Sequence, residues 1–318
     1  MKRLPVYFHP GYAAPLGPQH IMPIRKFGLV AEELRTWPDI ELLKPEPATV
    51  ADLRRVHTEK YIEAIRTGEP RELAEMQKFP WSPELFASVQ LTSGGCLAAA
   101  RAALREGAGA ALVSGFHHAC ADHGEGFCTF NGLVVTAEAL WSAGEAQRVA
   151  VLDLDLHYGN GTAQLAVGRP NLLALSIYGN DYWNNVPHRD VRTRHHEDGP
   201  NHQSWALPAG ADRATLFPIL DAALARLADF QPDLVLFQAG ADPFREDPYS
   251  PLSLDHDDLF ARDLRVLDFC RERSLPVAWV LAGGYTEDVR QVVRVHVNTF
   301  AAWRALKSDE FQPKVYGK

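Results

Sequence analysis

The stretch VLDLDLHYGNGTAQ, Val151 to Gln164, joins a continuous apolar run to a burst of carboxylate, imidazole and glycine residues. A run of this kind, apolar throughout and not alternating, reads as a strand covered on both faces. Polar residues immediately after such a strand lie where ligands collect in open α/β sheets. In extended geometry alternate side chains share one side, so Asp153, Asp155 and His157 converge while Leu152, Leu154 and Leu156 face another environment. A turn beginning inside the segment brings the polar groups closer still. Burying two carboxylates and an imidazole is costly unless a metal or a hydrogen-bond network satisfies them.

Outward from this segment, similar runs recur at Val6–Phe8, Ala110–Ser114, Arg148–Leu154, Asn171–Ile177, Leu234–Gln238 and Val277–Leu281. Longer stretches between them fit helices. Asp212–Asp229 sets Leu216, Leu220, Leu224 and Leu227 on one face, and Gly94–Leu104 and Asp288–Leu306 are weaker helical candidates. Strand followed by helix, repeated, predicts a parallel sheet covered by helices on both faces. Uneven spacing and long polar loops favour an open sheet over a barrel. No segment reads as a linker or a repeat, so 318 residues suit one large domain.

Composition narrows the class. With 46 % hydrophobic and 23 % charged residues the chain is an ordinary globular protein, which excludes general disorder. Its 32 basic and 40 acidic residues leave a charge of -8, which gives a nucleic-acid partner no support. The basic stretch Arg189–His196 is broken up by Asp190, Glu197 and Asp198 and reads as a solvated loop. No leader-like or bilayer-length apolar segment is present, so a cytoplasmic enzyme is expected. Cys96, Cys120, Cys128 and Cys270 have no close Cys-x-x-Cys spacing and read as free thiols.

Three further segments carry chemistry. Gly115–Gly132 reads GFHHACADHGEGFCTFNG, with adjacent His117 and His118 after a predicted strand. Gln238–Pro248 reads QAGADPFREDP and supplies Asp242, and Gly283, Gly284 and Tyr285 follow the Val277–Leu281 run. Asp155 and Asp242 can neutralise a divalent cation that His157 also ligates, leaving a position open for water and a carbonyl. One imidazole can then take the water proton, and Tyr285 can stabilise the oxyanion. A metal-free buried network is the competing reading of the same residues.

The paired histidines with GFCTFN, the DLDLHYGNGT run, GAD and GGY together resemble the zinc-dependent histone deacetylase superfamily, which includes acetylpolyamine amidohydrolases and bacterial deacetylase-like enzymes. FHHACADHGEGFC looks most like its class IV branch. The resemblance implies a three-layer arginase/deacetylase-like fold over residues 1–318 as a single catalytic domain. It makes Asp155, His157 and Asp242 zinc ligands, His118 the general base and acid, and His117 its electrostatic neighbour. Asp153 then orients His117. Asn160 orients His118, where some branches have Asp, so a less strongly raised His118 pKa is expected. Tyr285 becomes the catalytic phenol, Gly126 accepts a substrate amide hydrogen bond, and Phe127 walls an acyl-lysine tunnel.

The resemblance implies a second aromatic tunnel wall, for which Tyr182 and Trp183 are candidates, and Arg25 resembles an internal arginine near a product-release channel. The family also implies a structural potassium ion held by Asp153, Asp155, His157, Ser176 and Ile177. The residues themselves give His123 and Glu125 the role of shaping the pocket rim, Asp247 that of stabilising the turn before Pro248, and Cys128 that of a buried small hydrophobe. The expected substrate is an acyl-lysine protein or peptide. Acetylpolyamines and longer acyl groups are alternatives, and a catalytically weak metal-supported binding protein is the remaining reading.

Overall fold

Apolar runs become strands where both faces are covered, and the computed structural model describes eight of them within residues 3–14, 21–180 and 198–307. They are β1 Leu4–Tyr7, β2 Ile40–Leu43, β3 Ala108–Ala111, β4 Val149–Asp153, β5 Leu172–Tyr178, β6 His202–Ala206, β7 Leu234–Ala239 and β8 Val277–Leu281. One sheet orders them β2-β1-β3-β8-β7-β4-β5-β6, and every neighbouring pair is parallel. The helices are α1 Lys26–Leu34, α2 Val50–Arg54, α3 Glu59–Thr67, α4 Arg71–Ala74, α5 Leu85–Glu106, α6 Gly132–Ala143, α7 Asn160–Ala166, α8 Arg213–Phe230, α9 His256–Glu272 and α10 Val289–Ala305.

Alternation along β4 builds two cores from one strand. Ala150 and Leu152 join the cluster under α1, α8, α9 and α10, while Val149 and Val151 join the one under α5 and α6. The predicted helical face holds, since Leu216, Leu220, Leu224 and Leu227 of α8 are all buried. Asp212 and Asp288 lie just outside their helices as N-caps, accepting from Thr215 N and Arg290 N. The expected open parallel sheet with helices on both faces is therefore observed.

Two differences matter for the site. β4 ends at Asp153, so Asp155 and His157 stand in the following loop and not on a strand. Strand alternation thus does not bring them together; the turn does. The expected Ala110–Ser114 strand is shifted to Ala108–Ala111, which releases the residues before His117 into a loop. Tyr182 and Trp183, and the Arg189–His196 stretch, lie outside the described residues. No described helix is long and apolar enough to cross a membrane.

Candidate metal and acid–base site

The carboxyl ends of β3, β8, β7 and β4 are consecutive in the sheet, and each feeds one part of the site. His117 and His118 follow β3, Tyr285 follows β8, Asp242 follows β7, and Asp155 and His157 follow β4. Phe116 adopts φ 58, a left-handed conformation that turns the chain ahead of the two histidines. Gly283 is required for a different reason: a Cβ there would collide with the Asp242 carboxylate.

Asp155, His157 and Asp242 are all buried, and one ligand atom from each lies within 4.8 Å of the others. His157 Nδ1 is 3.2 Å from Asp155 Oδ1 and 3.1 Å from Asp242 Oδ2. These separations approach the roughly 3.3 Å edge of a tetrahedron built on zinc–nitrogen and zinc–oxygen bonds of about 2.0 Å. Backbone groups fix both carboxylates: Asp155 Oδ2 accepts from Gly283 N at 2.8 Å and Asp242 Oδ1 from Leu156 N at 3.0 Å. Burial opposes charge on His157, but Asp155 and Asp242 outweigh it and lift its pKa to about 10. Burial also resists ionisation of Asp155, yet His117 and His157 hold its pKa well below the carboxylate range. Asp242 moves the other way, upward, through burial and then Asp155. Without a metal, a proton on His157 offsets two buried carboxylates; a divalent ion meets the same electrostatic demand, so the donor set fits zinc.

Lys26 adds a buried cation that sequence reading missed. It is fully buried, its Nζ donates to Ala282 O at 2.5 Å, and burial against the pull of Asp242, Asp155 and Asp247 lowers its pKa to about 8. Arg25, the expected internal arginine, is exposed. The register at the start of α1 turns Lys26 inward, which corrects that assignment.

The paired rings lie 4.0 Å apart between centroids, tilted by 45°, yet have different partners. His117 Nδ1 lies 2.6 Å from Asp153 Oδ2, and His118 Nδ1 lies 2.6 Å from Asn160 Oδ1. Burial opposes a charge on His117, but Asp153 and Asp155 win and raise its pKa. At His118, burial followed by His117 and His157 pushes the pKa well below the ordinary value, against the upward pull of Asn160. The Asn160 amide pulls upward but does not offset that desolvation.

Tyr285 is kept protonated by burial and then by Asp242, Asp155 and Asp247. Asp247 supports its backbone, accepting from Tyr285 N at 2.7 Å and from Tyr249 N at 3.0 Å across Pro248. Its carboxyl is pushed up to about 7, first by burial and then by Asp242. Ile21, His118, Gly126, Phe127, His157, Tyr249 and Tyr285 line one pocket. Tyr249 meets Tyr285 edge-on with centroids 5.2 Å apart, so it supplies an aromatic wall that the sequence had not revealed. Phe127 is 6.4 Å from Tyr285 and stacks on Phe79 at 5.8 Å.

Ser176 of β5 pairs in register with Asp153 of β4, and Ile177 follows it in the same strand. Cys120, His123 and Glu125 form a second group with metal-ligand spacing, but burial pushes the Cys120 thiol up to about 12. Cys128 is a buried free thiol in the core, as expected.

Fold and triad together support a hydrolase of the deacylase type. The histone deacetylase domain matches residues 20–300, and the chain belongs to that family, with features of its class IV-like and acetylpolyamine amidohydrolase branches. An uncharacterised protein of Picosynechococcus sp. is 30 % identical over 92 % of this chain and 95 % of its own length. Histone deacetylase 2 of Arabidopsis thaliana is 29 % identical over 79 % of this chain and 65 % of its own length. Acetylpolyamine amidohydrolase 2 of Pseudomonas aeruginosa is 34 % identical over 57 % of this chain, which spans about half (52 %) of that relative. The crystal structure of acetylpolyamine aminohydrolase from Burkholderia pseudomallei shares the fold, with TM-score 0.78 and 23 % identity over 96 % of this chain and 99 % of the other.

Proposed function

We propose that this chain is a zinc-dependent deacylase that hydrolyses an acyl-lysine amide to free lysine and a carboxylate, with Asp155, His157 and Asp242 as metal ligands. The observation that carries the reading is the pocket in which His157 of the triad meets His118, Gly126, Phe127 and Tyr285. Zinc bound by such a set polarises a carbonyl and makes water acidic near neutral pH.

The protein's own groups then divide the proton work. His118 commits Nδ1 to Asn160, which leaves Nε2 as the basic atom, and its depressed pKa keeps that atom unprotonated at neutral pH. Nε2 takes the water proton and returns it to the departing amine, so amide plus water becomes amine plus carboxylate. His117, tied to Asp153, contributes positive charge beside it. The neutral Tyr285 phenol donates to the oxygen that becomes negative as the tetrahedral carbon forms. Gly126 O accepts the substrate N–H, and Phe127 with Tyr249 flanks the aliphatic stem. Structural potassium at Asp153, Asp155, His157, Ser176 and Ile177 belongs to the same proposal, as does a single catalytic domain.

A panel of acetyl-lysine peptides, longer acyl-lysine peptides and acetylpolyamines tests the reading. Peptide hydrolysis that is lost on chelation and restored by zinc is expected. Zinc-loaded protein that binds the metal but turns over none of these amides refutes it in favour of a metal-supported binding protein. The Pseudomonas relative's name favours a second reading, acetylpolyamine hydrolysis, which faster turnover of the polyamine arm would select.

A further inference from the structure

Beyond the pocket, a string of side chains links His118 to the surface. His118 Nδ1 lies 2.6 Å from Asn160 Oδ1, and Asn160 Nδ2 donates to Glu125 Oε2 at 2.7 Å. Glu125 Oε1 is 3.1 Å from His123 Nε2, and His123 Nδ1 is 2.7 Å from Asp122 Oδ1. The string runs from the interior to the surface: His118 is 3 % exposed, the Glu125 and His123 side chains 29 % and 24 %, and the Asp122 side chain 69 %.

The middle of this string has a fixed polarity. An amide offers an acceptor at one end and donors at the other, whereas a carboxylate only accepts. Glu125 therefore requires the NH2 end of Asn160, which turns Oδ1 toward His118. That oxygen in turn requires a proton on His118 Nδ1, so Nε2 keeps its lone pair. Were Asn160 flipped, its NH2 group would meet Nδ1 and favour the opposite tautomer. Two features hold the Glu125 carboxylate in place. Its backbone closes a tight turn, with Cys128 N donating to Glu125 O at 2.7 Å. Burial opposes charge on His123, but Asp122 and Glu125 outweigh it and raise its pKa, which suits a cation between two carboxylates. The neighbouring Cys120 Sγ lies 3.5 Å from His118 O.

We propose that Glu125 is a positioning residue for His118: through the Asn160 amide it selects the Nδ1-protonated tautomer, with His123 and Asp122 anchoring the carboxylate. This rests on His118 being the base of the proposed deacylase, and the tests separate the two ideas. Glu125→Ala is expected to lower kcat roughly ten-fold while KM stays within about two-fold. Glu125→Gln keeps an acceptor but removes the charge, and should lower kcat a few-fold.

The sign of that second effect should reverse in an Asn160→Asp background. There the new carboxylate can accept from His118 but cannot donate to Glu125, so two acceptors face each other. Adding Glu125→Gln supplies the missing donor and should raise kcat above that of Asn160→Asp alone. A purely structural role predicts the same fold-loss in both backgrounds, and that result overturns the proposal. Nitrogen-15 NMR of the histidine rings reads the tautomer directly and requires no turnover. His118 should be Nδ1-protonated in the wild type and shift toward a mixture in Glu125→Ala; an unchanged tautomer overturns the positioning role. A protein inactive on every amide but showing the expected tautomer shift would sink the deacylase reading and leave this one standing.

Discussion

Acid should loosen the segment that carries the paired histidines, and the group responsible is His57. Its ring is 3 % exposed and lies between two partners with opposite needs. Nδ1 lies 2.9 Å from Cys120 O and must donate, while Nε2 accepts from Asn131 N at 3.0 Å. Only the neutral ring satisfies both, because a second ring proton would point at the Asn131 N–H. Burial is the main cause that lowers its pKa from 6.5 to about 4. A depressed histidine pKa leaves stability unaffected above pH 6.5. Below it the unfolded chain takes up a proton that the folded chain refuses, so stability falls until pH reaches about 4. With 1.36 kcal/mol per unit, this one group removes about 2 kcal/mol by pH 5 and roughly 3 kcal/mol at its limit. Urea unfolding of metal-free wild type and His57→Gln at pH 7.5 and pH 5 measures it. Glutamine can still donate and accept but does not titrate, so the variant should lose about 2 kcal/mol less on acidification. Equal losses in both proteins would refute the argument.

Three shorter predictions concern the site. Tyr285→Phe should lower kcat on the order of 10²–10³-fold with zinc content unchanged; full activity in the zinc-loaded variant would remove the phenol from the mechanism. Asp242→Ala takes away one carboxylate of the triad, so zinc retained after gentle dialysis, measured by elemental analysis, should fall well below one equivalent. Tyr249→Leu removes the ring packed edge-on against Tyr285, so KM for acetyl-lysine peptides should rise, and an unchanged KM would show that the wall lies elsewhere.

What the sequence disclosed depended on whether a residue's role was written locally. The triad, the paired histidines and Tyr285 each sit directly beyond an apolar strand, and that adjacency is visible in one dimension. Tyr249 follows Pro248 in an irregular loop, where no periodicity says which way a ring points. Lys26 and Arg25 are neighbours with opposite fates, and only the register of α1 separates them. β2 and β6 escaped because they are the outermost strands of the sheet and only part-buried, so they lack the uniformly apolar runs of β4, β5 and β7. The direction of the His118 shift was illegible for another reason. It is a contest between burial and partners, and composition reveals the partners but not the burial.

That contest explains how two consecutive histidines acquire different chemistry. With rings 4.0 Å apart, protons on both would repel at short range in a dry site. The chain resolves the conflict by giving His117 a carboxylate and His118 an amide. Asp153 can stabilise a cation, whereas Asn160 offers only a dipole, so the first proton belongs to His117 and His118 is left neutral. Asp153 is itself held at the end of β4, where its second oxygen accepts from Asp155 N at 3.1 Å, so the strand that leads into Asp155 and His157 also decides which histidine carries charge. Glu125 completes the division without cancelling it. Placed behind the amide, it fixes the orientation of Asn160 while keeping its own carboxylate out of direct contact with the His118 ring, so the base is aimed but not saturated.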